Sequence, residues 1–144
     1  MVDTKDIRRV DPAEAFKALS EDPRACLVDV RTRAEWTFVG GPDLSSIGRA
    51  PALIEWVQFP SNAANPDFER DMRRLLEEAR PDAVYFICRS GQRSLHAAAA
   101  VGAFADEGVT LANVEEGFEG DPDHQGRRGS VNGWKARGLP WRQV

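Results

Sequence analysis

Cysteine and histidine are scarce in this chain: two of each among 144 residues, with no Cys-x-x-Cys and no His-x-x-x-His. A structural zinc site needs four closely spaced ligands, so neither a resident metal nor another cofactor is expected. Positive charge is also in short supply, with 19 Lys and Arg against 23 Asp and Glu, a formal net charge of -4. A global field of that sign attracts neither nucleic acid nor an acidic membrane, so any anion must be held by a local site. No apolar run approaches the roughly 18 residues of a membrane span. The segment Met1-Val2-Asp3-Thr4-Lys5-Asp6 lacks the basic-then-apolar pattern of a secretory leader. Together these absences predict a cytoplasmic protein with no nucleic-acid or membrane partner, whose two thiols stay free in a reducing compartment.

What is present reads as a globular α/β chain. Apolar residues make up 42 % and charged residues 29 %, near the globular averages. The length fits a single domain over 1–144, with its core at about 7–141. Asp11-Pro12-Ala13-Glu14 carries a helix start, with an N-cap Asp, Pro at the first helical position and Glu three residues after the cap. Phe16 and Leu19 continue its apolar face, and Asp22-Pro23 ends it. A buried strand is predicted over Cys26–Val30, a helical turn over Arg33–Phe38 and a weaker strand over Leu53–Val57, with Glu55 in its centre. Asn65-Pro66 opens a helix in which Phe68, Met72, Leu75, Leu76 and Ala79 recur at helical spacing. Val84-Tyr85-Phe86-Ile87 is the strongest strand signal.

Beyond it, Gln92 to Glu107 reads as a helix with an apolar face of Leu95, Ala98, Ala99, Gly102 and Ala105, capped by Gly108. Leu111–Val114 reads as a further strand. The tail Gly133–Trp141 is expected to pack back through its two tryptophans. Strands alternating with helices over short connections predict a mainly parallel central sheet with helices on both faces.

The chemistry concentrates after Ile87. In open α/β sheets ligands gather beyond the carboxyl ends of the strands, and Cys88-Arg89-Ser90-Gly91-Gln92-Arg93 starts there. A thiolate is the nucleophilic form of cysteine, whose free pKa is about 8.5. Backbone N–H groups curling toward a helix N-terminus, together with Arg89 and Arg93 if they point inward, favour the ionised sulfur. Gly91 can adopt the positive φ of an anion-binding nest. A purely structural strand-to-helix turn has no need of two arginines beside a thiol.

At these residues the chain resembles the rhodanese family of sulfurtransferases. Leu27-Val28-Asp29-Val30-Arg31-Thr32-Arg33-Ala34-Glu35-Trp36 is similar to the family's early strand motif, Val84 to Ser94 to its active-site strand and loop, and Gly133-Trp134 with Gly138-Leu139-Pro140 to its closing segment. The resemblance implies a two-step reaction without a cofactor. A small donor such as thiosulfate or a persulfide gives one sulfur to Cys88, and a thiophilic acceptor, cyanide or a thiol, removes it; the acceptor could also be another protein. It implies that Arg89, Ser90, Gly91, Gln92 and Arg93 cradle the persulfide, and that Asp29, Arg31 and Ser94 support the loop. One departure stands out. Many members carry His-Ile-Pro-Gly-Ala before the second strand, where this chain has Ile47-Gly48-Arg49-Ala50-Pro51-Ala52. The stretch Gly40–Ala52 and the acidic stretch Glu115–Asp121 are therefore places where specificity could differ, or solvated loops without a role.

Three other readings compete. One is a phosphatase or arsenate reductase built on a related loop; cysteine phosphatases place Arg after five intervening residues, whereas four separate Cys88 from Arg93 and Ser94 fills the phosphatase position. A dithiol enzyme needs a resolving thiol. Cys26 falls at the start of its strand and Cys88 at the end of another, so parallel strands hold them beyond the ~7 Å Cα reach of a disulfide. A non-catalytic rhodanese-like interaction module would be expected to lack the cysteine that this chain keeps. His96, early in the helix after the loop, and His124, in a charged loop, add nothing decisive.

Overall fold

The computed structural model describes residues 6–143, so Met1–Lys5, most of the segment that lacks the leader pattern, and Val144 lie outside the described residues. The central sheet has five parallel strands: β1 (Arg8–Val10), β2 (Ala25–Asp29), β3 (Ala52–Leu53), β4 (Ala83–Ile87) and β5 (Thr110–Val114). Their spatial order is β1-β5-β4-β2-β3. Four helices accompany them: α1 (Pro12–Glu21), α2 (Arg33–Phe38), α3 (Phe68–Ala79) and α4 (Gln92–Gly102).

Local chemistry explains most of the boundaries. The Asp11 carboxylate accepts the Glu14 N–H at 2.9 Å while Glu14 accepts the Asp11 N–H at 3.2 Å, a closed capping box that starts α1. Thr32 and Glu35 build the same box at the start of α2. Asn65 turns the chain into α3, its side chain accepting the Asp67 N–H at 3.0 Å and its carbonyl the Phe68 N–H at 3.2 Å.

Two expectations change. Of the strand expected over Leu53–Val57 only Leu53, preceded by Ala52, pairs in the sheet, while Val57–Gln58 joins a separate antiparallel ribbon with Ala63–Ala64. Between them the Ile54 and Trp56 N–H groups still donate to the Asp29 and Val30 carbonyls at 3.1 Å, and the Glu55 carboxylate turns aside to accept the Arg33 N–H at 2.8 Å. Helix α4 stops at Gly102 rather than Glu107, with Gly108 outside it. The last turn tightens onto i−3 carbonyls, with Ala103 N–H on Ala100 and Phe104 N–H on Val101. A mid-helix glycine weakens continuation at that point. The buried face of α4 is correspondingly Ser94, Ala97, Ala98 and Val101.

Side chains of β4 alternate between two cores. Val84 and Phe86, together with Cys88 just beyond the strand, meet Phe68 and Met72 of α3 and Ala97, Ala98 and Val101 of α4. Ala83, Tyr85 and Ile87 meet Ala15 and Leu19 of α1 with Phe118 and Trp134. Of the two tail tryptophans, Trp134 is fully buried, its indole N–H donating to the Pro140 carbonyl at 2.7 Å and its ring edge-on to Phe16. Trp141 stays at the surface, where it turns an edge to Phe118 and receives Lys135 over its ring. No helix among the described residues is long and apolar enough to cross a membrane, and no group of three His, Cys, Asp or Glu among them could hold a metal ion.

Candidate active site

Parallel strands put every carboxyl terminus on one edge, and Cys88 follows directly on β4 there. Its side chain is 1 % exposed, at the floor of a cavity of about 840 Å³ lined by Glu35, Phe38, Trp56, Phe59, Arg89 and Arg93 among others. Phe38 and Phe59 stand largely exposed, so the lining combines apolar surface with the arginine-bearing loop. Within the loop, Gly91 adopts φ +104° and its N–H donates to the Cys88 sulfur at 3.1 Å. A side chain at that position would be strained. The Ser94 hydroxyl lies 3.2 Å from the same sulfur.

The outer side of the loop is held by residues 117–120. Phe118 N–H donates to the Cys88 carbonyl at 2.8 Å, and the amides of Glu119 and Gly120 donate to the Arg89 carbonyl at 3.0 and 3.1 Å. Engaging these carbonyls on the outside fixes the peptide planes from which the inner N–H groups project. Gly117, at φ +67°, is required here, because a Cβ would sit 2.5 Å from the Cys88 carbonyl oxygen. The acidic stretch that could have been a solvated loop is thus the outer brace, with Phe118 fully buried.

The arginines divide their tasks. Arg93 does not turn its fork to the sulfur; it binds both oxygens of Glu35, at 2.8 and 2.9 Å, and so ties α4 to α2. Burial pushes the Glu35 carboxyl up, but the Arg93 bonds and the Thr32 amide and hydroxyl outweigh it, leaving the group below the usual carboxylate range. The same bond raises Arg93 above its ordinary value. Arg89 is exposed at the cavity rim, with no side-chain hydrogen bond among the described residues. Ser90 is half-buried in the same lining, with Gln92 exposed beside it.

Asp29 and Arg31 are both fully buried and pair through Nε–Oδ1 at 3.0 Å and Nη2–Oδ2 at 2.8 Å. Arg31 also donates to the Gly40 carbonyl at 2.7 Å and stacks 4.5 Å over the Phe118 ring. Among the described residues, their link to the loop is indirect, through Phe118 and its bond to the Cys88 carbonyl. His96 lines the cavity rim, and His124 is exposed far along the chain.

Cys26 lies elsewhere. It stands opposite Val84 in the β2–β4 register, four rises of ~3.3 Å before Cys88, roughly 13 Å away along the strands. Burial pushes its thiol up. The departing segment around Arg49 also reaches this far end, where Arg49 donates to the Ala25 carbonyl at 2.6 Å.

Several site residues escaped the sequence reading. Glu35 was noted only as part of a motif. Gly117 and Phe118 lay inside the acidic stretch. Asn113, whose side chain donates to the Gly91 carbonyl at 3.0 Å, was not singled out. The available signal for it was a polar residue inside the apolar run Leu111–Val114.

A family profile described as a rhodanese-like domain matches residues 12–121. The crystal structure of Rv0390 from M. tuberculosis superposes with a TM-score of 0.81 at 46 % identity, covering 94 % of this chain and 97 % of that one. The polysulfide-sulfur transferase of Wolinella succinogenes shares the fold at TM-score 0.57 and 20 % identity, over 98 % of this chain and 82 % of that one. A Rhodopseudomonas palustris protein of unknown function, described as a "possible tyrosine phosphatase", shares it at TM-score 0.52 and 20 % identity, over 78 % and 77 %.

Proposed function

The chain belongs to the rhodanese-like domain family, and on that premise we propose that it is a sulfurtransferase whose single nucleophile is Cys88. The Cys88 thiolate attacks the outer sulfur of thiosulfate or a comparable persulfide donor. The donor S–S bond breaks, and its electron pair leaves with sulfite or the donor thiolate. The terminal sulfur of the resulting Cys88 persulfide is then taken by cyanide, a small thiol or the thiol of an acceptor protein, which returns the Cys88 thiolate. No external oxidant or reductant enters. The amides of Arg89, Ser90, Gly91, Gln92 and Arg93 form the cradle, with Ser94, Asp29 and Arg31 supporting it. Residues of about 7–141 act as one domain, working in the cytoplasm.

The observation that carries this reading is the pair of polar groups aimed at one sulfur at the floor of an open cavity, the Gly91 N–H and the Ser94 hydroxyl. The N–H suits a sulfur anion, the hydroxyl can turn its proton toward one, and both leave room above the sulfur for a donor. The phosphatase alternative is disfavoured by Arg93, since a guanidinium already bound at both forks to Glu35 is not free to clasp a phosphate. The test is intact-mass measurement after incubation with thiosulfate, before and after cyanide. The expected result is an adduct of one sulfur that cyanide removes. A protein that takes up no sulfur but hydrolyses an aryl phosphate would overturn the proposal in favour of the phosphatase. Inertness in both assays would favour an interaction module.

A further inference from the structure

Asn113 is fully buried at the carboxyl end of β5. Its amide nitrogen donates to the Gly91 carbonyl at 3.0 Å and to the Glu115 carboxylate. Both partners only accept, so the nitrogen is fixed on that side and Oδ1 on the other, where it lies 2.5 Å from the Ser94 oxygen. A carbonyl oxygen cannot donate, so the single Ser94 proton lies on the line to Asn113. The lone pairs of Ser94 then face the Cys88 sulfur at 3.2 Å, and a thiol at Cys88 donates to them.

We propose that Asn113 is a positioning residue that governs the ionisation of Cys88 by competing with the sulfur for the Ser94 proton. This rests on the reading that the Cys88 thiolate is the working nucleophile. When the thiol proton leaves for solvent, the Ser94 O–H turns from Asn113 Oδ1 to the sulfur anion. One proton is released, none moves along the chain, and a short hydrogen bond is given up. Asn113 therefore opposes ionisation of the sulfur, and Glu115 strengthens that opposition by locking the amide. The other charged groups around the sulfur are Arg89 in the loop, Arg93 and His96 on α4, Glu35 on α2 paired with Arg93, and Glu119 beyond β5. The buried Asp29–Arg31 pair stands at the end of β2, and Arg9 faces Glu115. Substituting Asn113 removes none of these charges; it does take a partner from Glu115 and from the Gly91 carbonyl, which the Ser94→Ala background controls for.

The experiment is the pH dependence of Cys88 alkylation by iodoacetamide, in the full chain carrying Cys26→Ser so that one thiol reports. Asn113→Ala frees the Ser94 hydroxyl for the sulfur, and the midpoint of the profile moves down by about one pH unit. In a Ser94→Ala background the same substitution leaves the midpoint where Ser94→Ala alone put it. An unchanged or raised midpoint in Asn113→Ala, or an equal fall with and without Ser94, would overturn the proposal. If Asn113→Ala does not fold, Ser94→Ala decides alone. A rise of less than about half a unit fits a hydroxyl already held by Asn113, and a rise of more than about one unit shows that it was donating to the sulfur. Sulfur uptake by the unmodified protein is measured separately, so failure here and failure of the transfer reaction remain distinguishable.

Discussion

Cys26 and Cys88 stand on or just beyond adjacent parallel strands of one sheet, yet the molecule treats the two thiols in opposite ways. Cys26 lies near the amino end of β2, half-buried beside the aliphatic parts of the far end, and burial pushes its thiol up. Cys88 lies past the carboxyl end of β4, more deeply buried but with an N–H and a hydroxyl at its sulfur and an open cavity above it. If Cys88 is the nucleophile proposed above, the difference teaches that burial alone does not make a cysteine inert. A nucleophile needs compensating dipoles and an approach path, and the ends of a parallel sheet provide these unequally.

Exchanging each thiol in turn gives the largest expected contrast. Cys88→Ser abolishes sulfur transfer, whereas Cys26→Ser keeps more than half of it, measured as thiocyanate formed from thiosulfate and cyanide. Comparable losses in both variants would erase the distinction. A smaller but still large effect is expected from the outer brace. In Gly117→Ala the new methyl meets the Cys88 carbonyl, the loop shifts, and transfer falls more than tenfold, with a stability loss of about 1–3 kcal/mol. Thermal melting and transfer assays check both parts, and the alkylation rate of Cys26 in the unfolding-free range stays unchanged.

The smallest effect concerns the Glu35–Arg93 pair at the cavity wall, which among the described residues has no counterpart at Cys26. Glu35 titrates below the ordinary carboxylate range when folded, so between the two values the unfolded chain binds the extra proton. The pair's contribution is complete above the ordinary glutamate pKa of about 4.3 and is lost as pH falls through the lower folded value. Glu35→Gln flattens this acid limb of the stability curve by about 1 kcal/mol or less, since both groups retain some exposure. Urea denaturation at pH 7 and in the acid range reads the difference.

Much of this was legible in the chain wherever neighbouring residues carry the signal. The capping box at Asp11 and Glu14, the apolar run of β4 and the loop from Cys88 to Ser94 are all local patterns, and each lies where the pattern put it. The short β1 was missed because two of its three residues, Arg8 and Arg9, are exposed and charged, leaving Val10 as its one core residue. Other features depend on partners distant in sequence. The bonds from residues 118–120 to residues 88 and 89 and the Glu35–Arg93 fork cross from one loop or helix to another, and no spacing rule announces them. Asn113 is a special case, since its buried amide finds its partners only where Gly91, Glu115 and Ser94 converge on it.

The central claim is that one sulfur atom rests on one thiol. Its most direct test is to load the protein with thiosulfate, digest it without reductant, and map the extra sulfur by peptide mass. The account predicts a single added sulfur on the peptide containing Cys88 and none on that containing Cys26. Added sulfur on the Cys26 peptide, or an internal link joining the two, would contradict it.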